Sequence, residues 1–211
     1  MSTVKLVEFP FCNLKSIVRY LQVKGYDYCS LGNYADLRIS DTIILPGVGT
    51  FGEGMKYLSE KGLIQPLRDH AENGGNIIGI CLGMQLLLSE SDESPGTEGL
   101  SIIQGKCSRL LPKSSFAVPH IGWNSIFYNS KCMDAVTFIN GDQIASIESL
   151  DFYFVHSFVA YANAKENEMF YFSHPDAKQV AGLCKGNVVG FQFHPEKSGP
   201  PGYRLLDYFL R

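Results

Sequence analysis

The chain has 211 residues with 45% apolar and 18% charged side chains and a net charge of −3, which suits one well-cored globular domain and excludes disorder. Its 18 Lys and Arg are scattered, with no run that interleaves with aromatics, so nucleic acid is not the expected substrate. No apolar stretch approaches the roughly 20 residues of a membrane span.

The opening Met1–Glu8 stretch lacks a charged segment followed by an apolar one and reads as an immediate strand, so secretion is not expected. Six cysteines (Cys12, Cys29, Cys81, Cys107, Cys132 and Cys184) show no CxxC pair and no framework spacing. A cytoplasmic protein with reduced thiols is the simplest expectation.

Lys5 to Phe9 reads as the first strand. Leu14, Ile17, Val18 and Leu21 follow at helical spacing, with Asn13 placed to cap and Gly25 to terminate. A second strand is expected near Tyr26 to Leu31, and a buried third at Thr42 to Leu45, ending in Pro46-Gly47-Val48-Gly49. Met55 to Glu72 has a helical pattern that Gly62 and Pro66 break or kink. Asn76 to Ile80 is the next buried strand, and Leu82 to Ser89 the next helix. Apolar strands without alternation, separated by helices, imply a parallel sheet covered on both faces, with the site at the strands' C-terminal ends. In the second half, Asn124 to Tyr128, Phe152 to Tyr161, Met169 to Ser173 and Val188 to Phe193 read as turn-bounded strands, and Tyr203 to Leu210 as a closing helix. Ser91 to Gly99 and Lys113 to Ala117 read as polar loops rather than linkers, so residues 1–211 form a single domain.

Gly79-Ile80-Cys81-Leu82-Gly83 places one cysteine between two glycines at a strand-to-helix junction. A buried cysteine is by default a small hydrophobe. The flanking glycines instead suit a sharp turn that holds a nucleophile at its apex. The helix N-terminus behind it would favour negative charge on sulfur and offer N–H groups to an oxyanion. His194-Pro195-Glu196 supplies a base and a carboxylate to orient it, although a strand-end histidine satisfied by a local carboxylate would look the same. Pro46–Gly49 is either a turn or a backbone donor to an oxyanion. The remaining histidines are read as structural: His70 in a polar helix end, His174 in a turn, His120 and His156 in aromatic surroundings. No zinc spacing and no phosphate-binding glycine loop is present, so neither metal nor cofactor is expected.

These residues resemble the triad (class I) glutamine amidotransferases, and within them the glutaminase subunit of imidazole glycerol phosphate synthase. The matching stretches are Leu45 to Phe51, Gly79 to Leu87, Pro119-His120-Ile121-Gly122-Trp123-Asn124, Tyr153 to Ser157 and Gly190 to Ser198. The resemblance implies a flavodoxin-like α/β domain, a central mostly parallel sheet flanked by helices, with antiparallel strands in the second half. It implies that Cys81 attacks the amide of glutamine, His194 protonates the departing ammonia and Glu196 holds the imidazole. Leu82, with Val48 and Gly49, would bind the oxyanion, and Gln85 and Glu98 would hold the glutamine. The family passes ammonia to a (β/α)8-barrel cyclase, forming a heterodimer near Asn13, Trp123 and Lys185, for histidine biosynthesis.

The family pattern Asp-Tyr-Gly-x-Gly-Asn reads Glu8-Phe9-Pro10-Phe11-Cys12-Asn13 here, which leaves a second acceptor open: a sugar-amidinating enzyme of surface polysaccharide synthesis. A cysteine peptidase or a DJ-1-like hydrolase would share the elbow but not His194-Pro195-Glu196 together with Pro46–Gly49. A non-catalytic subunit would be expected to have lost part of the triad.

Overall fold

The computed structural model describes residues 3–32, 37–132, 147 and 150–210. One large sheet dominates, with strand order β2-β1-β3-β4-β12-β11-β10-β7-β8, and a small sheet of β5 (Glu90–Ser91), β6 (Gly105–Arg109) and β9 (Phe158–Ala162), in that order, lies beside it. The parallel half contains β1 (Val4–Leu6), β2 (Tyr28–Ser30), β3 (Thr42–Leu45), β4 (Asn76–Ile80) and β12 (Val188–Phe191). The antiparallel half contains β7 (His120–Tyr128), β8 (Asp151–His156), β10 (Glu168–Phe172) and β11 (Gln179–Lys185). The sheet is therefore mixed. Ile43, Ile44, Leu45, Ile77 and Ile78 are essentially inaccessible, each stabilising the fold by about 1.5–3 kcal/mol.

Helix α1 (Lys15–Lys24) ends at Gly25, whose φ of 74° is the left-handed stop expected of glycine. Asn13 accepts the Lys15 N–H at 3.0 Å, one position outside the capping site at Leu14. The single helical pattern from Met55 to Glu72 resolves into two helices, α2 (Phe51–Glu60) and α3 (Ile64–Glu72), with Gly62 between them at φ 65°. Helix α2 starts earlier than the apolar pattern because Thr50 and Glu53 form a reciprocal capping box. Pro66 falls in the first turn of α3, where its missing N–H costs nothing.

Three strands carry no strong signal in the sequence: the two-residue β5 (Glu90–Ser91), β6 (Gly105–Arg109) and β11. The stretch from Phe152 to Tyr161 is not one strand. It breaks at Ser157 into β8, which joins the large sheet, and β9 (Phe158–Ala162), which joins β6 and, through it, the short β5 (Glu90–Ser91). The chain closes with α5 (Gly199–Phe209).

Helix α4 (Leu82–Leu86) is short and lies directly on the sheet. A Cβ on Gly79 would sit 2.7 Å from the Gly83 backbone, and one on Gly190 would sit 2.4 Å from the Met84 side chain. Gly79 and Gly190 are partners across β4 and β12, so the missing side chains open one slot into which α4 fits. That seat fixes the residue at its N-terminus, Cys81.

Candidate active site

Cys81 has φ 53° and ψ −104°, a conformation rarely adopted by residues with side chains. Strained geometry at the turn from strand to helix is the feature expected of a presented nucleophile. The Cys81 N–H donates to Phe191 O at 2.7 Å, so the parallel register that pairs Ile80 with Phe191 also brings the segment after β12 alongside. That segment carries His194 and Glu196. His194 Nδ1 lies 2.7 Å from Glu196 Oε1, and both groups are largely buried. The other ring nitrogen, Nε2, is buried with no hydrogen-bond partner among the described residues.

Burial alone would push His194 down; the Cys81 sulfur and the Glu196 carboxylate outweigh it and raise His194 from 6.5 to about 10. The site therefore favours a protonated imidazole at neutral pH, a proton donor in waiting.

A cavity of about 270 Å³ opens at Cys81 and is lined by Val48, Gly49, Gln85, Glu93, His156 and Phe158, among others. This is slightly below the ~300–1,000 Å³ of pockets for drug-sized ligands and suits an amino acid. Two sequence expectations need correction here. Glu98 is exposed and does not line the cavity; Glu93 does, because the loop after β5 folds back over α2. Glu93 Oε2 accepts the Phe51 N–H at 2.7 Å and Ser94 Oγ accepts the Gly52 N–H at 3.0 Å, so the α2 N-terminus holds this loop. A carboxylate in a polar loop carries no period by which a single sequence could single it out. Lys185 lies at the end of β11 paired with Val188, at the N-terminal end of the parallel strands, and donates to Ile102 O at 2.8 Å. It is thus at the opposite end of β4 from Cys81 and does not join Asn13 and Trp123. Lys197, next to Glu196, lines a small cavity of about 80 Å³ with Cys12, Asn13, Gly47, Val48 and His194. Lys197 and Asn13 are exposed there.

The oxyanion candidates sit as a group beside Cys81. Val48 and Gly49 line the larger cavity, and the Leu82 N–H donates to Gly47 O at 3.3 Å. The unusual Glu8–Asn13 segment packs onto this loop: the Phe11 ring lies 2.9 Å from where a Gly49 Cβ would be, and Phe9 and Phe11 stack at 5.4 Å. Burial pushes the Cys12 thiol up, partly offset by a hydrogen bond with the Val48 backbone. The bulky residues replace the expected glycines by filling space above a glycine of the neighbouring loop. Trp123 and Ile121 are about 60% exposed on β7, and the Trp123 ring meets Tyr153 at 5.8 Å. Tyr153 in turn lies beside His194, its carbonyl accepting the His194 N–H at 2.8 Å.

His120 and His156 form a buried pair, with His120 Nδ1 3.0 Å from His156 Nε2. Burial pushes them from 6.5 down to about 4 and about 3, so both are neutral in the folded protein. The unfolded chain takes up protons as the pH falls below 6.5 while the folded chain does not. The pair's stabilisation is therefore complete above pH 6.5 and is lost as the pH falls toward 4. Melting temperature should drop over that window more steeply in the wild type than in His120→Asn; parallel curves would refute the assignment. His194 works in the opposite direction, stabilising below 6.5 and losing that contribution as the pH rises through about 10.

Among the described residues, no group of three or more His, Cys, Asp or Glu could hold a metal ion, and no helix is long and apolar enough to cross a membrane.

An elbow cysteine, a carboxylate-bound histidine and an amino-acid-sized cavity, set at the C-terminal ends of adjacent parallel strands, define a nucleophilic hydrolase of the amidotransferase type. The glutamine amidotransferase class-I profile matches residues 8–211, and the chain belongs to that family. It is 36% identical to the imidazole glycerol phosphate synthase subunit HisH of Listeria innocua over 206 residues, covering 98% of this chain and 94% of that protein. It is 37% identical to the subunit of the same name from Aquifex aeolicus over 216 residues, covering 100% and 97%. Its fold matches a crystallised glutamine amidotransferase with a TM-score of 0.73 at 18% identity, covering 99% of this chain and 97% of that one.

Proposed function

We propose that the chain is the glutaminase subunit of an imidazole glycerol phosphate synthase, hydrolysing glutamine and delivering ammonia to a (β/α)8-barrel cyclase. The observation that carries this reading is the buried His194–Glu196 pair, at 2.7 Å, delivered beside Cys81 by the β4–β12 register. Cys81 Sγ attacks the side-chain amide carbon. The carbonyl oxygen becomes an oxyanion, which takes the Leu82 N–H from its long 3.3 Å bond to Gly47 O and is joined by the Val48–Gly49 backbone. His194 gives its proton to the departing ammonia, leaving a thioester; neutral His194 then removes a proton from the water that cleaves it. Glu196 keeps the ring oriented throughout. Gln85 and Glu93 line the cavity where the amino and carboxylate groups of glutamine must be held, and the Glu93 carboxylate suits an ammonium.

The exposed Trp123 and Ile121, adjacent through Tyr153 to His194, support a partner seated next to the site. The small cavity behind the triad, reaching exposed Asn13 and Lys197, suits an exit for ammonia on that side.

Glutamine hydrolysis should be measured with the chain alone and with the cyclase of the same genome plus its ribotide substrate. Strong stimulation is expected. No stimulation, with Cys81 still alkylated by a glutamine analogue, would turn attention to a sugar-amidinating acceptor. Within the triad, Glu196→Gln should cost less in kcat than His194→Ala, because an amide still accepts from Nδ1 while removal of the ring abolishes proton transfer. Equal losses would mean that Glu196 does more than orient.

A further inference from the structure

The side chain of Gln192 is completely buried one strand away from the nucleophile, and both ends of its amide are engaged. Its Oε1 accepts from Gln85 Nε2 at 3.1 Å, and its Nε2 donates to Cys81 Sγ at 3.7 Å. We propose that Gln192 is a positioning residue that links the substrate-holding side chain Gln85 to the Cys81 sulfur. The inference deepens the glutaminase reading and rests on it for its substrate half.

The chain of hydrogen bonds allows only one arrangement of protons. Gln85 Nε2 donates to both Gln192 Oε1 and Phe158 O, the latter at 3.3 Å, which spends both of its N–H groups. Its own oxygen is left over on a side chain that lines the cavity, an acceptor for an N–H of bound glutamine. Phe158 O also faces His156 Nδ1 at 2.8 Å, and a carbonyl can only accept, so that nitrogen carries the proton. His156 Nε2 must then accept from His120 Nδ1. Rotating the Gln192 amide by half a turn would set its NH₂ against the NH₂ of Gln85. The orientation that points an N–H at sulfur is therefore imposed from outside the triad. The Gln192 backbone is fixed in the same way, its N–H donating to Ala181 O at 2.9 Å.

Two variants separate the halves of this role. Gln192→Glu keeps an acceptor for Gln85 but has no N–H for the sulfur; Gln192→Met keeps the volume and lacks both. One readout needs no glutamine: the rate at which iodoacetamide alkylates Cys81 in the full chain. It should fall about tenfold in both variants, the low end for a hydrogen bond to a charged group. The second readout is kcat and KM for glutamine with the cyclase present. Gln192→Glu should lower kcat about tenfold or more with KM within about twofold of wild type, whereas Gln192→Met should also raise KM by about tenfold. A purely structural residue would move both variants together, in step with their melting temperatures. Unchanged alkylation in both variants, or the same kcat and KM pattern in both, would overturn the proposal. Should Gln192→Glu fail to fold, Gln192→Met decides by its alkylation rate and KM. Absence of glutamine hydrolysis in the wild type would remove the glutaminase reading, while the alkylation rates would still decide the contact with sulfur.

Discussion

Cys81→Ala is expected to lower glutamine hydrolysis by at least about 10⁴-fold, the order lost when the nucleophile is deleted from other triads. No other thiol can substitute. Among the described cysteines, Cys107, Cys132 and Cys184 are sealed in the core and Cys29 is exposed on β2, away from His194. Cys12 lines the cavity behind His194 rather than the one that holds Cys81. Glutamate release measured with the cyclase present checks this, and undiminished turnover would sink the mechanism. Cys81→Gly should be equally inactive yet more stable than Cys81→Ala. The φ of 53° with ψ −104° costs a residue with a Cβ about 1–3 kcal/mol, and glycine escapes that cost while losing about 0.5–1 kcal/mol to its freer unfolded chain. A net gain of about 1 kcal/mol in urea melts is the expected result. A gain would show that the protein holds its nucleophile against a backbone preference.

The largest stability effect should come from Gly83→Ala. A Cβ there would sit 1.8 Å from Leu45 O, a backbone atom at the C-terminal end of β3 that cannot swing aside. Helix α4 would have to lift off β3, opening the slot formed by Gly79 and Gly190, and the cost should exceed about 3 kcal/mol. Gly62→Ala is the control. It has a positive φ of 65° but nothing within 4 Å, so it should cost only the roughly 1–2 kcal/mol of a left-handed residue with a side chain. Denaturant midpoints of the two variants measure the difference; similar values would mean that α4 is not locked against the sheet.

The parallel half of the fold was legible because its signals are local. Ile43–Leu45 and Ile77–Ile80 are short runs without a polar side chain, and the strands that carry them, Thr42–Leu45 and Asn76–Ile80, fall where the sequence places them. The turn that carries Cys81 was legible for a related reason: Gly79 and Gly83 on either side of it are held by close contacts that leave no room for a Cβ. The antiparallel half was read less well. Strand β6, Gly105–Arg109, is half polar, and its identity as a strand depends on pairing with β9, 49 residues later at the Arg109–Phe158 end and 57 residues later at the Gly105–Ala162 end. The break at Ser157 is invisible for the same reason, since residues on both sides of it are equally β-prone. Glu93 and Gln192 escaped because what matters about them is direction. One carboxylate is turned inward by the α2 N-terminus and one amide is oriented by its neighbours, and neither leaves a mark on composition or spacing.

The break at Ser157 also has a mechanical meaning. Val155 and His156 end a strand of the large sheet, Phe158 begins a strand of the small one, and all of them line the cavity at Cys81. The cavity thus lies in a seam between two sheets that are joined there by a single residue of chain. Anything bound in the cavity acts as a stitch across that seam. Amide exchange in β5, β6 and β9 should consequently slow when the cavity is filled, far from any atom that takes part in the chemistry.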